Sequence, residues 1–305
     1  MGISLADLVD LDDLARDLSV TVADLQSIAQ TLPQYYRRKE KVKPDGRRRT
    51  FYIPHGDLKN LQGAIAKKLL APLPLHQAIH SYRKGKSTLT NARVHLGHPF
   101  MVKLDIEDYF PSISRDRVFR LLGRLGFSGP VARTLAVLTT FKNQLPQGAP
   151  TSQAIANLVF DEIIKKRISP LCETHKLEPS VYGDDLTISG SKRLVQLKHL
   201  VERIIEDEEF KVSTKPSKNQ LLLEHDQKVV TGYVLKADKL DVPKSRYREV
   251  RAIIHNCLKK GGASQFECDV KTAKQQLRGK IEYIRKANPV RGGMLLRDFE
   301  RISWS

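Results

Sequence analysis

Apolar residues recur at helical spacing along most of the chain and at strand spacing in a few short windows. Leu5, Leu8, Leu11 and Leu14 share one face, and Thr21 reads as the N-cap of a second short helix through Leu25, Ile28 and Leu32. Leu58, Leu61, Ala64, Ile65 and Leu69 predict a helix over 57–70, stopped by Pro72 and Pro74. Further helices are predicted over 114–127, 151–168, 194–209, 244–260 and 270–287. Residues 100–113 read as an apolar strand closed by Pro111, 181–189 as a hairpin and 228–235 as a strand or hairpin edge. Pro44-Asp45-Gly46 marks a turn between two further strands. No repeat or low-complexity linker interrupts this order, which predicts an α+β body with a helical appendage.

Charge changes the picture more than length does. The 305 residues allow one large domain or two to three small ones, and 40% hydrophobic content suffices for a core. Fifty-two Lys and Arg against 34 Asp and Glu leave a net charge of +18. A surplus of that size repels itself unless a polyanion relieves it, so nucleic acid is the expected partner class. The charge is unevenly spread. Residues 1–30 hold six Asp and one Arg, which reads as a helical cap on the main body. Residues 35–50 hold eight basic and two acidic residues beside Tyr35, Tyr36, Phe51 and Tyr52, a hairpin suited to phosphate. From 241 onward 15 basic residues face seven acidic ones. No apolar run reaches the ~18–20 residues that span a bilayer, so no membrane partner is expected. The acidic start is unlike a signal peptide, and a cytoplasmic location is expected. Cys172, Cys257 and Cys268 lie far apart without a CxxC pair and read as small hydrophobes in a reducing compartment.

Carboxylates inside strands are the conspicuous chemistry. Asp and Glu are depleted in strands and rarely buried unless paired or bound to metal. Yet Asp105 sits within Val102-Lys103-Leu104-Asp105-Ile106, and Asp184 and Asp185 follow Gly183 at the tip of the second hairpin. Three acids on adjacent strands fit two metal ions that activate an attacking hydroxyl and hold a leaving phosphate, about 3.5–4 Å apart. Mg²⁺ suits such oxygen ligands, and Mn²⁺ accepts the same set.

The strings around these acids carry a family resemblance. Tyr182-Gly183-Asp184-Asp185 resembles motif C of right-hand polymerases with a reverse-transcriptase palm, and Asp105-Ile106-Glu107-Asp108-Tyr109-Phe110 resembles motif A. Leu145-Pro146-Gln147-Gly148-Ala149-Pro150-Thr151-Ser152 is similar to the motif B loop that opens a helix. Asn91-Ala92-Arg93-Val94-His95 matches the NAxxH signature of bacterial retron reverse transcriptases, and Val230-Thr231-Gly232 their VTG signature. Leu277–Ile284, followed by Asn288-Pro289, resembles the retron thumb. Motif C departs from the commoner retron form in having Gly183 where Ala is usual, and Gln153 stands where Pro is common. The resemblance runs from about residue 35 to the end.

It implies an α+β right-hand fold: an N-terminal helical extension (1–34), fingers (35–100, with part interleaved near 115–150), palm (101–235) and a basic helical thumb (236–305). It implies an RNA-directed DNA polymerase that copies a cognate structured non-coding RNA with deoxynucleoside triphosphates. Synthesis would start at a guanosine 2′-hydroxyl and leave a branched RNA–DNA hybrid. An anti-phage role with a separate effector protein is implied too. No room for an RNase H domain follows the thumb, so template removal is expected to need a host RNase H. By the same resemblance Asp105, Asp184 and Asp185 are the catalytic acids, with the Ile106 main chain, that hold two Mg²⁺ ions. Arg49 and Lys43 would clamp the triphosphate, Phe110 would exclude a 2′-hydroxyl and Gln147 would touch nucleotide and template. Lys215 or Lys218, near motif D, is the candidate general acid. Asn91, His95, Val230, Thr231, Gly232, Tyr233, Arg246, Arg251, Lys280 and Arg285 are the expected RNA or primer contacts. Rival readings are a stand-alone defence reverse transcriptase with different priming, a polymerase making RNA, and an RNA-binding module on an inactive polymerase fold.

Overall fold

The computed structural model describes residues 8–42, 46, 48–262 and 264–304. Lys43 and the Pro44-Asp45 turn lie outside the described residues.

The chain opens with two short helices, α1 (Leu11–Leu18) and α2 (Val22–Gln30). Thr21 caps α2 in a capping box with Asp24, which satisfies two otherwise orphaned backbone donors. Leu14, Leu18, Leu25 and Ile28 enter the main core, so these helices pack on the body as the sequence predicts. The basic hairpin β1 (Tyr36–Val42) and β2 (Arg48–Pro54) follows, antiparallel from Tyr36↔Pro54 to Val42↔Arg48. Its base is fastened by Tyr36, whose ring stacks on Phe141 at 4.3 Å and whose hydroxyl accepts from the buried Gln62 at 2.9 Å. Helix α3 (Gly56–Ala64) continues into a π-helical turn, Ile65–Leu70, and α4 (Thr88–Arg93) starts at a Ser87 capping box.

The central sheet is built around β3 (Phe100–Glu107). On one side β3 pairs with β5 (Asp185–Gly190), which in turn pairs with β4 (Glu178–Tyr182). Its other side is covered by β7 (Asn219–Leu222) along Met101–Leu104 and by β6 (Lys211–Val212) at Ile106–Glu107. All pairings are antiparallel. Alternation gives β3 two faces. Val102, Leu104 and Ile106 enter the main core, whereas Met101 belongs to a second core. The main core is completed by α5 (Arg115–Arg124), α6 (Gly129–Thr139), α7 (Ser152–Ile163) with its π-helical end Ile164–Ile168, α8 (Ser169–His175) and α9 (Arg193–Asp207).

A small sheet, β8 (Val229–Val230), β9 (Tyr233–Leu235) and β10 (Leu240–Asp241), leads to three helices: α10 (Lys244–Lys260), α11 (Val270–Ala287) and α12 (Pro289–Glu300). The second core joins them through Tyr233, Ile254, Leu277, Ile281, Leu295 and Phe299, and takes in Ala92 and Met101. The periodicity over 244–260 and 270–287 is realised residue for residue, while α4, α6, α8 and α12 escape it. In α12, Gly292 and Gly293 argue against a helix. A Cβ at Gly292 would lie 2.3 Å from Arg285 Cα, so the glycine is what lets α11 and α12 cross this closely. No helix among the described residues is long and apolar enough to cross a membrane.

Candidate active site

The three strand carboxylates are brought together by register. Asp105 stands opposite Asp185 across the β3–β5 pair. The turn before β5 is closed by Gly183 at φ +66°, a conformation costly for any residue with a Cβ. Asp184 lies in that turn, and its carbonyl accepts from the Ile106 N–H at 2.9 Å. Asp105 is held by its own backbone, donating to Lys218 O at 3.0 Å and accepting from Ser213 N–H at 2.8 Å.

Electrostatics bind the acids into one group. Burial raises the Asp185 carboxyl to about 6, and the Asp184 and Asp105 charges push the same way. Burial also raises Asp184, helped by Asp105 and opposed by Lys218 and Arg49. Lys218 Nζ donates to Asp105 Oδ1. Burial alone would lower Lys218, but its bond to the Asp105 carboxylate outweighs this and raises it. Lys103, on the same face of β3 as Asp105, is lowered by burial and supported by Asp185 and Asp105.

Among the described residues no three carboxylate, imidazole or thiol groups converge into a closed metal-binding cluster. The donor chemistry nonetheless suits a divalent ion. Carboxylates are the hard oxygen donors such ions take, and the raised Asp184 and Asp185 mark a deficit of positive charge that Lys218 meets only in part.

Beside the acids opens a cavity of about 420 Å³ lined by Arg49, Phe51, Tyr82, Phe110, Gln147, the 148–150 turn and the start of α7. Arg49 Nε donates to Gln147 Oε1, joining the hairpin to the loop that opens α7. Gly148 passes so close to β2 that a Cβ there would meet Ile53 Cγ1 at 3.4 Å. Past β3, Asp108 adopts φ +44° and the chain reverses. Tyr109 turns inward, donating to Ala156 O at 2.9 Å, and Phe110 is left facing the cavity. Arg49, Phe110 and Gln147 thus meet around one space.

Other expected contacts lie elsewhere. Both lysines are exposed, but Lys218 reaches Asp105, whereas the Lys215 carbonyl accepts from the Lys218 and Asn219 N–H groups at 2.8 and 2.9 Å. Four of the expected RNA or primer contacts are corrected. His95 is fully buried, with Nδ1 2.7 Å from Ser189 Oγ and Nε2 2.6 Å from Ser180 Oγ. Asn91, one turn earlier on the same inward face, is buried, as are Val230 and Tyr233. Tyr233 stacks on Tyr283 at 4.5 Å. These side chains cannot reach a nucleic acid; they are the joint between α4, the central sheet and the last three helices. Thr231 and Gly232 sit at the turn of that joint: Thr231 Oγ1 donates to Thr88 O at 2.6 Å and Tyr283 Oη donates to Thr231 O at 3.2 Å. Arg246, Arg251, Lys280 and Arg285 are exposed on α10 and α11. Lys280 is paired with Glu249 and Arg285 with Glu282. Sequence reasoning missed Tyr82 and Lys103. Lys103 was legible as a cation two residues from Asp105 on one strand face; Tyr82 carried no signal of its own.

Comparison with known proteins agrees with this geometry. Residues 41–235 match the family model described as reverse transcriptase (RNA-dependent DNA polymerase). The chain is 32% identical to the retron Ec86 reverse transcriptase of Escherichia coli, over 81% of this chain and 78% of that protein. It is 30% identical to the retron Mx162 reverse transcriptase of Myxococcus xanthus, over 96% and 67%. A telomerase from Candida albicans, solved with a fragment of telomeric RNA, matches with a TM-score of 0.52 at 9% identity, a likeness of fold alone. That match covers 91% of this chain and 63% of the telomerase.

Proposed function

Because the chain belongs to the reverse transcriptase family, and within it to the bacterial retron group, we propose that it copies a cognate structured non-coding RNA into a branched RNA–DNA hybrid. Synthesis starts from a guanosine 2′-hydroxyl, host RNase H removes template, and a separate effector protein turns the product to anti-phage defence in the cytoplasm. The observation that carries the polymerase reading is the meeting of Asp105, Asp184 and Asp185 beside the cavity of Arg49, Phe110 and Gln147. Residues 35–100 with part of 115–150 serve as fingers, 101–235 as palm, 236–305 as thumb, and the acidic 1–34 as the effector's docking face.

Asp105, Asp184, Asp185 and the Ile106 main chain would hold two divalent ions, Mg²⁺ or Mn²⁺, which when bound activate the attacking hydroxyl and neutralise the leaving pyrophosphate. The remaining roles fall to side chains. Arg49 offers a guanidinium fork to the triphosphate of a deoxynucleotide, oriented by Gln147. Phe110 closes the space a 2′-hydroxyl would need. Lys218, which donates to Asp105 and is held protonated by that bond, would give its proton to pyrophosphate. Arg246, Arg251, Lys280 and Arg285 grip RNA or the growing duplex by charge.

The test is to express the gene with its upstream intergenic region and analyse small nucleic acids after RNase and debranching treatment, beside an Asp184→Asn control. A discrete DNA that changes mobility on debranching and vanishes in the control is the expected result. DNA without a branch would remove the 2′-priming, and no DNA at all would favour the RNA-binding alternative.

A further inference from the structure

Tyr82 is the residue of the nucleotide cavity that the polymerase motifs leave unexplained. It is a tyrosine at φ +51°, in the left-handed region that side chains with a Cβ occupy at a cost, and the residue is 53% exposed. A single exposed aromatic is ordinary. One held in a strained backbone by a rigid frame is not, and such strain gathers at functional sites.

The frame here is extensive. Ile79 bridges Val181 in parallel, with His80 N–H donating to Val181 O and Val181 N–H to Ala78 O, each at 2.8 Å. Ser81, fully buried, donates through Oγ to Asn157 Oδ1 at 2.8 Å, and its main-chain carbonyl accepts from Asn157 Nδ2 at 2.8 Å. Arg83 Nη1 donates to His76 O at 2.9 Å. The segment is therefore fixed to β4 on one side and to α7 on the other, and Tyr82 projects from it over the carboxylate turn. Its hydroxyl would lie 4.0 Å from a Cβ at Gly183, and its ring is 6.4 Å from that of Tyr182. Asp184 and Arg49 both act on its phenol, which burial raises first.

Tyr82 also divides two spaces. The cavity lined by Arg49, Phe110 and Gln147 lies on one side; a second of about 320 Å³, lined by Gly63, Ala66 and Lys67 of the α3 helix and its π-helical end, lies on the other. Tyr82, Pro150 and Gln153 line both. A ring at that partition, between triphosphate clamp and catalytic turn, is where a base pair forming at the site has an edge or face to offer. Base–aromatic contact is tolerant of sequence but sensitive to shape.

We propose that Tyr82 is a specificity-determining contact of the polymerisation site, its ring forming with Phe110 the wall on which the pair between template base and incoming deoxynucleotide is seated. This rests on the polymerase reading above. The test is single-nucleotide extension of a DNA primer on an RNA template by the full chain, comparing wild type, Tyr82→Phe, Tyr82→Ala and Tyr82→Gly with matched and mismatched deoxynucleotides. Tyr82→Gly removes the ring and relaxes the backbone, so it is expected to melt no lower than wild type. The expected result is KM for the matched nucleotide raised about tenfold in the Ala and Gly variants, with a smaller change in kcat, reduced discrimination against mismatches, and Tyr82→Phe near wild type. Unchanged KM and discrimination in a folded Tyr82→Gly would overturn the proposal, as would a Tyr82→Phe as impaired as Tyr82→Ala. Failure of wild type itself to extend any primer would instead count against the polymerase reading on which the proposal stands.

Discussion

At neutral pH the Asp185 carboxylate is ionised in surroundings that burial and two neighbouring acids push up to about 6, against 3.8 for a free Asp. The folded chain therefore holds that proton more tightly than the unfolded one, and metal-free stability falls as pH rises from about 4 through about 6. Asp185→Asn removes the charge. It is expected to stabilise the metal-free protein by roughly 2–3 kcal/mol at pH 7, an increment that disappears below pH 4, while DNA synthesis is lost. Thermal melts in chelator across that range check the sign; a variant that melts lower at pH 7 would contradict it. At Phe110 the expectation concerns selectivity: Phe110→Ala should admit ribonucleotides in a primer-extension assay, and no gain would remove the gate assignment. At this scale the sequence was most legible where chemistry defies environment, as with acids inside apolar strands. Tyr82 escaped because neither its side-chain type nor its neighbours betray a left-handed backbone.

Among the elements, the joint of α4 with β4 and β5 is built on neutral imidazole. Burial lowers His95 to about 3 and His80 to about 4, from 6.5. A depressed histidine contributes stability that is complete above pH 6.5 and lost as pH falls toward the folded value. By pH 4 His95 alone should cost about 3 kcal/mol, and His95→Gln should flatten that acid limb while weakening the fold at pH 7. Urea titrations at pH 4.5 and 7.5 measure both; an unchanged acid limb would show that His95 is solvated. At the last helix pair, Gly292→Ala would drive a methyl into the Arg285 backbone and should destabilise the α11–α12 crossing by about 1–3 kcal/mol, seen as faster amide exchange there. Long periodic helices were legible because one stripe faces one core. Short α4 and α8 lack enough turns to show a period, and α12 hides behind the glycines its packing needs.

For the whole molecule, the +18 net charge sets how it meets RNA. Arg246 lies over the Tyr283 ring at 4.8 Å and Arg251 is exposed, whereas Lys280 and Arg285 already have carboxylate partners. Substituting Arg246 or Arg251 by Ala should reduce the salt dependence of RNA affinity by about one counterion each, and Lys280→Ala by less. Filter binding at several salt concentrations distinguishes them. The basic tail and the motif order were readable from composition and strings alone. That the NAxxH and VTG strings meet in a buried joint was not, because they are more than 130 positions apart and only the fold closes that distance. Strand β3 ties the two cores together, with Met101 in one and its neighbour Val102 in the other. Exchanging residues 236–305 for those of a relative would consequently leave Ala92, Met101, Val230 and Tyr233 behind in the recipient, facing a stranger's side chains. Such a hybrid should fold well only when those four residues travel with the exchange, so the boundary that matters reaches back into the start of β3 and ends four residues short of Asp105.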